Sequence, residues 1–142
     1  MKVRDLMSRD VVTVSPEETV AVAARLLSRY NIGAVPVCER DGRLRGVVTD
    51  RDIVLRCVAA EKAPERTAVR EIMTRRVLSV GPKEDAEAAA ALMAREQVRR
   101  LPVAQDGRIV GVLSLGDLSV NETMQMEASA CLSEICGNLR RL

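Results

Sequence analysis

An internal repeat is the sequence feature that most constrains the fold of this chain. The second half matches the first at an offset of 66 residues, which falls to 65 after a one-residue deletion near Arg40. Val3-Arg4 matches Val69-Arg70, and Asp41-Gly42-Arg43 matches Asp106-Gly107-Arg108. A domain half the size of this 142-residue chain buries a fraction of its surface that is only marginal for stability. We therefore expect two repeated units that pack face to face about a pseudo-twofold axis.

Local signals predict the order short strand, helix, strand, strand, helix within each repeat. In the first repeat, residues 11–14 are extended. Ser15, Pro16 and Glu18 then have the N-cap, first-turn proline and capping-box glutamate of a helix start. Asp41-Gly42 predicts a hairpin between the two later strands. The second repeat predicts extended segments at 77–80, 101–104 and 109–114, and a helix over 82–96.

The predicted fold class is therefore α+β, with two βαββα units and one additional helix. The first unit spans residues 1–62, the second spans 63–120, and an amphipathic C-terminal helix spans 121–142. Apolar residues recur at helical spacing in that last segment. The pattern fits a helix packed on its own unit and equally a helix that closes a homodimer. Its apolar positions are Met124, Ala128, Cys131, Leu132, Ile135 and Leu139.

Each repeat ends its last strand in a hydroxyl residue followed three positions later by a carboxylate. The pairs are Thr49 with Asp52 and Ser114 with Asp117. This spacing is typical of a capping box, which contributes about 1 kcal/mol to a helix. The same turn directs N–H groups and a hydroxyl outward, where a phosphate could bind and the carboxylate could accept ribose hydroxyls. Two copies at matching positions favour a ligand site over a cap alone.

The composition argues against nucleic-acid binding. The net charge is only +2, and the chain contains no Phe, no Trp and a single tyrosine, although bases usually stack on aromatic rings. The short basic pairs Arg75-Arg76 and Arg140-Arg141 are interpreted as solvated surface.

Metal binding and catalysis are also disfavoured. The chain has no histidine, and its four cysteines lack a CxxC spacing, so no metal site is expected. Cys38 and Cys57 are interpreted as small buried apolar side chains, whereas Cys131 and Cys136 point to different faces of the last helix. No P-loop, dinucleotide fingerprint or nucleophile–base pair is present, which disfavours an enzyme.

The N-terminal residues lack the apolar core of a signal peptide, and the longest small-apolar run, 88–94, is too short to cross a bilayer. The sequence thus predicts a cytoplasmic protein without membrane contact.

The repeated unit resembles the cystathionine-β-synthase (CBS) domain, arranged as the tandem pair called a Bateman module. The resemblance covers about residues 1–120, and short stand-alone bacterial proteins of this family look similar throughout. The motifs that carry it are Val-Arg-Asp-Leu-Met at 3–7 with Val-Arg-Glu-Ile-Met at 69–73, Thr-Val-Ser-Pro at 13–16 with Ser-Val-Gly-Pro at 79–82, Ile-Gly-Ala-Val-Pro-Val at 32–37 with Val-Arg-Arg-Leu-Pro-Val at 98–103, and the two glycine-to-aspartate turns.

The resemblance implies a pair of clefts for adenine-containing ligands such as AMP, ADP, ATP or S-adenosylmethionine, and assembly of the chain into a homodimer. No cofactor and no metal are implied. The implied ligand contacts are Asp52 and Asp117 for the ribose hydroxyls, Thr49 and Ser114 for phosphate or ribose, Arg99 and Arg100 for phosphate, and an adenine wall of Thr13, Val14, Gly33, Ala34, Val35, Pro36, Ser79, Val80, Leu101 and Pro102.

The repeats differ where charge matters. Gly33-Ala34 in the first stands where the second has Arg99-Arg100, so we expect one cleft to dominate. Arg51 fits a phosphate contact and equally a solvated first-turn charge.

The expected function is a regulatory module that senses an adenine ligand for an effector protein that the sequence does not identify. The alternative is a structural or interaction homodimer disc without a nucleotide ligand, in which both aspartates serve only as helix caps.

Overall fold

The structure, a computed structural model, describes residues 1–121 and 124–139, with only the backbone of residues 138 and 139. It confirms the mixed α+β class, with two two-stranded antiparallel sheets surrounded by helices. In chain order the elements are α1 (Val3–Leu6), α2 (Val20–Tyr30), β1 (Ala34–Cys38), β2 (Leu44–Thr49), α3 (Asp50–Ile53) continuing as a π-helix (Val54–Val58), α4 (Val69–Ile72), α5 (Ala86–Glu96), β3 (Arg100–Gln105), β4 (Arg108–Ser114), α6 (Leu115–Ser119) and α7 (Gln125–Leu139).

The chain forms two compact units, each named here by its turn aspartate. The Asp52 unit consists of Val12–Val77 with Gly107–Ile109. The Asp117 unit consists of Met1–Val11, Leu78–Asp106 and Val110–Leu142. The segment that opens each repeat therefore packs in the unit built mainly from the other repeat.

The two long helices begin later than the sequence predicts, and backbone competition explains the difference. Helix α2 begins at Val20 with Thr19 as its N-cap, not at Ser15-Pro16, and α5 begins at Ala86 rather than at Pro82. In the Asp52 unit, the segment around α4 hydrogen-bonds the backbone where the predicted first turn would form. Arg70 and Val69 N–H donate to the carbonyls of residues 16 and 18, while Val20 N–H donates to the Thr67 carbonyl. These tertiary bonds replace the intrahelical ones.

The same exchange occurs in the Asp117 unit. Val3 and Arg4 N–H donate to the carbonyls of Glu84 and Pro82, and Ala86 N–H donates to the Met1 carbonyl. Residues 81–84 thus form a turn that precedes the helix, as residues 15–18 do in the first repeat.

The first predicted strand of each repeat is reduced to a single parallel bridge, Val14 with Val37 and Val80 with Val103. Val14 N–H donates to the Pro36 carbonyl, and Cys38 N–H donates to the Val14 carbonyl. The next ladder bonds on either side would need N–H groups from Pro16 and Pro36, which proline lacks. Pro82 and Pro102 stop the second ladder in the same way. The later strands pair as predicted, β1 with β2 and β3 with β4.

Each unit has its own apolar core. The core of the Asp52 unit includes Val20, Val35, Val48 and Ile72, whereas that of the Asp117 unit includes Met93, Leu101, Leu113 and Leu118. A glycine in each second strand allows close packing. A Cβ on Gly46 would lie 2.7 Å from the Thr74 carbonyl oxygen, and one on Gly111 would lie 2.8 Å from that of Ser8.

Helix α7 packs on its own unit, against α5 and α6. Ala128, Cys131 and Ile135 belong to the core of the Asp117 unit, as does Met124 just before the helix, while Leu132 is exposed. The Leu139 side chain and Arg140-Arg141 lie outside the described residues. Within the described part of the chain, no helix is both long enough and apolar enough to cross a membrane.

Candidate functional site

The Ser114 turn of the Asp117 unit forms the reciprocal hydrogen bonds that its spacing predicts. Asp117 N–H donates to Ser114 Oγ at 3.0 Å, and Ser114 N–H donates to Asp117 Oδ2 at 2.8 Å. The turn thereby fixes one carboxylate oxygen at the beginning of α6. The other oxygen, Oδ1, forms no hydrogen bond or ion pair with any residue that the structure describes.

The Thr49 turn of the Asp52 unit has the same two bonds, each 3.0 Å long, but its carboxylate has additional partners. Thr74 Oγ1 donates to both carboxylate oxygens, at 3.1 and 3.2 Å. Arg56 Nε lies 3.9 Å from Asp52 Oδ1. Asp52 is only 7% exposed, so its carboxylate is enclosed and satisfied by its own unit.

Thr74 is a site residue that the sequence analysis did not identify. The repeat contained the signal, because Thr74 and its counterpart Ser8 both place a hydroxyl directly after the methionine of the Val-Arg motif. The two hydroxyls nevertheless have different partners. Ser8 Oγ accepts a hydrogen bond from Asp10 N–H at 3.3 Å rather than donating to Asp117. Asp117 consequently remains half-buried with an available oxygen, whereas Asp52 is buried.

Backbone hydrogen bonds bring the loop before each first strand to the turn. Asp50 N–H donates to the Gly33 carbonyl at 3.0 Å, and Ala34 pairs with Thr49 in the strand register. In the Asp117 unit, Leu115 N–H donates to the Arg99 carbonyl at 2.8 Å. Each unit therefore places its predicted loop residues, hydroxyl and carboxylate at the same end of its strand pair.

The predicted adenine wall lies beside that end. Val14 is bridged to Val37 next to Pro36, and Val80 is bridged to Val103 next to Pro102. The side chains of Val35 and Leu101 are buried in the two cores, so only their backbone groups are available to a ligand. Thr13 and Ser79, one residue before the bridges, are exposed.

The two turns differ in charge. In the Asp52 unit, the Asp50 carboxylate lies beside Gly33, since a Cβ placed there would be 3.5 Å from Asp50 Oδ2. Arg51 is exposed next to it. The Asp117 unit has buried Leu115 in place of Asp50, and it presents Arg99 and Arg100, both exposed. The Asp52 turn thus has two carboxylates, Asp50 and Asp52, with the guanidinium groups of Arg51 and Arg56, whereas the Asp117 unit has one carboxylate with two guanidinium groups.

Neither Arg99 nor Arg100 forms an ion pair with a carboxylate in the described part of the chain. A free planar guanidinium fork suits a phosphate, which it can bind through two parallel hydrogen bonds. The Asp117 unit therefore has an available acceptor for hydroxyl groups in its turn, and two arginines as donors for an anion in the segment whose backbone is hydrogen-bonded to that turn.

Comparison with known families agrees with this architecture. The family model described as the CBS domain matches the chain twice, over residues 3–58 and 69–120. The chain belongs to the CBS domain family. It is a tandem pair of CBS domains, followed by α7.

Several CBS proteins are similar over most of their length. A CBS domain-containing protein of Bacillus subtilis (strain 168), YhcV, is 42% identical over 133 residues, which is 94% of either chain. Hypoxic Response Protein I, solved with two coordinated zinc ions, has a TM-score of 0.77 and 33% identity, covering 85% of this chain and 98% of that one. The CBS pair of protein MJ0100, solved with 5'-methylthioadenosine and S-adenosyl-L-methionine, has a TM-score of 0.71 and 29% identity, covering 84% and 94%.

Hypoxic Response Protein I was solved with zinc, but the described residues of this CBS pair include no group of candidate metal ligands. The chain contains no histidine. In the ranges 1–121 and 124–139, no group of three or more cysteine, aspartate or glutamate side chains is placed to hold a metal ion.

Proposed function

We propose that this CBS pair is a regulatory module that binds an adenine nucleotide, and that the Asp117 unit carries the main site. The availability of Asp117 Oδ1, together with two arginines that form no ion pair with a described carboxylate, supports this assignment most directly. A ligand with a ribose and a phosphate needs both groups. The Asp52 turn lacks the arginine pair, and its carboxylate is already occupied by Thr74 and the nearby Arg56.

In the proposed complex, the Asp117 carboxylate accepts hydrogen bonds from the ribose hydroxyls. A hydrogen bond to a charged group contributes roughly 1.5–3 kcal/mol, because the carboxylate is a stronger acceptor than a neutral oxygen. Ser114 holds the carboxylate in position because its N–H donates to Asp117 Oδ2, and its hydroxyl accepts from Asp117 N–H on the same turn. Arg99 and Arg100 neutralise the phosphate. Backbone groups around Val80 and Leu101-Pro102 contact the adenine edge, so no aromatic side chain is required.

The charge of the Asp117 turn favours AMP, ADP or ATP over S-adenosylmethionine. Two guanidinium groups attract a phosphate and repel the sulfonium cation of S-adenosylmethionine. The complex of the MJ0100 CBS pair with S-adenosylmethionine supports an adenosine ligand as a class for this fold. The preference for a phosphate-containing ligand within that class rests on the two arginines of this chain.

Thermal unfolding with a panel of AMP, ADP, ATP and S-adenosylmethionine tests the proposal. At a hundred times its dissociation constant, a ligand should add about 2.7 kcal/mol to the free energy of unfolding. Asp117→Asn should remove that increment, since its amide can still accept from Ser114 N–H but provides no charge for the ribose. Asp52→Asn is the matched control in the other repeat. It should lower the stability of the unliganded protein and leave the increment intact.

Two results would contradict the proposal in different ways. A ligand increment that survives Asp117→Asn and disappears in Asp52→Asn would transfer the main site to the Asp52 unit. If no adenine ligand stabilises the protein, the alternative of an interaction homodimer without a nucleotide becomes the better account, with both aspartates acting as helix caps.

We further propose that the module acts as a homodimer on an effector protein. A ligand can control such a partner only if it binds one arrangement of the module more tightly than another. Exposed apolar side chains on the π-helix, at Val54, Leu55 and Val58, offer a surface for self-association. The cyanobacterial CBS-CP12 protein, another CBS structure similar to this chain (TM-score 0.69, 29% identity), is described as hexameric.

A further inference from the structure

A second group of basic side chains lies in the Asp117 unit, on two separate segments. A cavity of about 180 Å³ is lined there by Arg4 and Arg9 from the N-terminal segment and by Lys83 from the turn before α5. The rest of the lining is uncharged, at Met7, Pro82, Gln105 and Val110. Gln105 ends β3, whereas Arg100 begins it, so the cavity lies at the opposite end of that strand from the proposed nucleotide site.

None of the three cations is neutralised within the described part of the chain. Their side-chain nitrogens form no ion pair with a described carboxylate. Lys2, two residues before Arg4, does form an ion pair, because its Nζ lies 2.9 Å from Asp85 Oδ1. Three like charges around one cavity repel each other unless an anion enters.

Comparison of the two repeats shows that the equivalent residues of the Asp52 unit form an ion pair. Arg4 and Lys83 correspond to Arg70 and Glu17 at the offset of 66 residues. In the Asp52 unit, Arg70 Nη1 and Glu17 Oε2 form an ion pair. The Asp117 unit therefore has a lysine where its duplicate has the carboxylate partner of the arginine.

A second carboxylate of the Asp52 unit, that of Glu39, also has no acidic counterpart in the cavity. Gln105 corresponds to Glu39, which pairs with Arg45 at 3.3 Å in the Asp52 unit. Arg45 itself corresponds to Val110 in the cavity lining. Relative to its duplicate, the Asp117 unit thus has a lysine and a glutamine in place of the two carboxylates, arginines at the same two positions, Arg4 and Arg9, and an uncharged residue in place of Arg45.

From this geometry we infer that the cavity is an anion site for a phosphate group, separate from the proposed nucleotide site. Two guanidinium groups and one ammonium group supply donors for several phosphate oxygens, and a divalent anion relieves the repulsion among them. The volume accommodates a free phosphate ion or the phosphate of a small metabolite. The site lies wholly in the Asp117 unit and does not depend on the adenine proposal.

Equilibrium dialysis of the full chain with radiolabelled inorganic phosphate, at constant ionic strength in a phosphate-free buffer, tests the site. The informative variant is Lys83→Glu, which restores the ion pair found in the other repeat. It should weaken phosphate binding at least about tenfold, because one cation is lost and Arg4 gains a carboxylate partner. Lys83→Glu should also raise the melting temperature without phosphate, which separates a specific loss of binding from misfolding.

Lys62→Glu is the matched control, because it makes the same charge change at an exposed lysine of the Asp52 unit. It should leave phosphate binding unchanged. Arg9→Gln provides a second test, with weakened binding expected. AMP should still stabilise Lys83→Glu through the proposed nucleotide site, because this variant impairs only the cavity, so the two proposals fail independently.

The inference is overturned if the wild-type chain binds phosphate no better than chloride at equal ionic strength. It is also overturned if Lys83→Glu binds phosphate as well as the wild type, since the anion would then be held elsewhere, as at Arg99 and Arg100. Phosphorylated small molecules added as competitors show whether the site binds the free phosphate ion or the phosphate group of a metabolite. Stronger displacement by a phosphomonoester than by inorganic phosphate assigns the site to a metabolite, and equal or weaker displacement assigns it to the free ion.

Discussion

Asp52 and Asp117 occupy equivalent positions in the repeat, but their neighbours give them different physical roles. Thr74 and Arg56 satisfy and enclose the Asp52 carboxylate. The Asp117 carboxylate has one oxygen fixed by Ser114 N–H and one oxygen available. A carboxylate that is already satisfied must give up internal bonds before it binds a ligand, so the two residues differ in binding cost as well as in exposure.

Replacing Asp52 by Ala should lower the free energy of unfolding by about 1–3 kcal/mol. The substitution removes the helix cap and leaves the half-buried Thr74 hydroxyl without its acceptor. Asp117→Ala should cost less, about 1 kcal/mol, because only the cap is lost. Urea unfolding of both variants measures the difference.

Thr74→Val is the control for the Asp52 prediction, because it removes the hydroxyl and keeps the shape. The double variant Asp52→Ala with Thr74→Val should be more stable than the sum of the single effects predicts. Additive effects, or equal losses at Asp52 and Asp117, would show that the Thr74 contact contributes nothing to stability.

The cysteines provide a second test at the scale of single residues. Burial raises the pKa of the Cys38 thiol to about 11, so at pH 8 only about one Cys38 side chain in a thousand is ionised. Burial, and secondarily the charge of Glu134, raises the pKa of Cys131 as well. Cys57 is buried, and Cys136 is partly exposed.

A disulfide reagent at pH 8 should therefore modify Cys136 rapidly and the other three cysteines only at the rate of unfolding. In denaturant, all four should react at once. Mass spectrometry of the modified peptides identifies the labelled residue. Rapid labelling of Cys38 in the folded protein would show that its strand is not packed as described.

The sequence predicted which segments form helices and strands better than it predicted where those helices and strands begin. The hairpin at Asp41-Gly42 and the strands on either side follow from local turn chemistry and alternating burial, and they are present. The helix starts at Ser15 and Pro82 were wrong. Local capping signals cannot reveal that a segment distant in sequence takes the first-turn carbonyls, as residues 69–70 do for α2.

The reduced first strand was predictable in principle from the same residues that identified the repeat. Pro16 and Pro36 remove the N–H groups that would extend the ladder beyond Val14. The sequence also predicted part of the arrangement around the two turns. The turns and their loops meet in each unit as expected, but the enclosure of Asp52 depends on Thr74, which reaches it across 22 residues of sequence.

Strand packing at Gly46 leads to a prediction for the sheet elements. Gly46→Ala should destabilise the protein by about 1–3 kcal/mol, because the new methyl group would lie 2.7 Å from the Thr74 carbonyl oxygen and 2.9 Å from Met73 Sδ. Gly111→Ala should have a similar effect in the other unit. Thermal unfolding followed by circular dichroism measures both.

Gly137→Ala is the matched control, because a Cβ at that position in α7 has no neighbour within 4 Å among the described residues. Alanine is the better helix former, so this variant should gain about 0.5–1 kcal/mol. A neutral Gly46→Ala would contradict the close approach between β2 and the segment after α4.

The sequence repeats do not coincide with the compact units of the whole molecule. The segment that opens each repeat packs in the unit built mainly from the other repeat. A chain cut at residue 62 contains the first repeat but lacks α4, whose Val69 and Ile72 belong to the core of the Asp52 unit. A fragment of residues 12–77 contains that core without the segment that packs elsewhere.

We therefore expect fragment 12–77 to retain more helix and a more cooperative thermal transition than fragment 1–62. The two fragments are of similar length, so chain length does not account for a difference between them. Circular dichroism at equal concentration makes the comparison. Equal or better folding of fragment 1–62 would mean that the first repeat is itself the folding unit.

Exposed apolar side chains on the π-helix make self-association of the whole molecule testable. Val54, Leu55 and Val58 are 54%, 48% and 60% exposed along one helical turn of the Asp52 unit, an arrangement that is costly in water unless a partner covers it. Leu55→Glu or Val58→Glu should therefore shift the protein toward monomer in sedimentation equilibrium, by at least about tenfold in the dissociation constant. Arg51→Glu, just before this patch, controls for the added charge and should change association less. A homodimer that tolerates both apolar substitutions must associate through another surface, such as the exposed side chains of Met126 and Leu132 on α7.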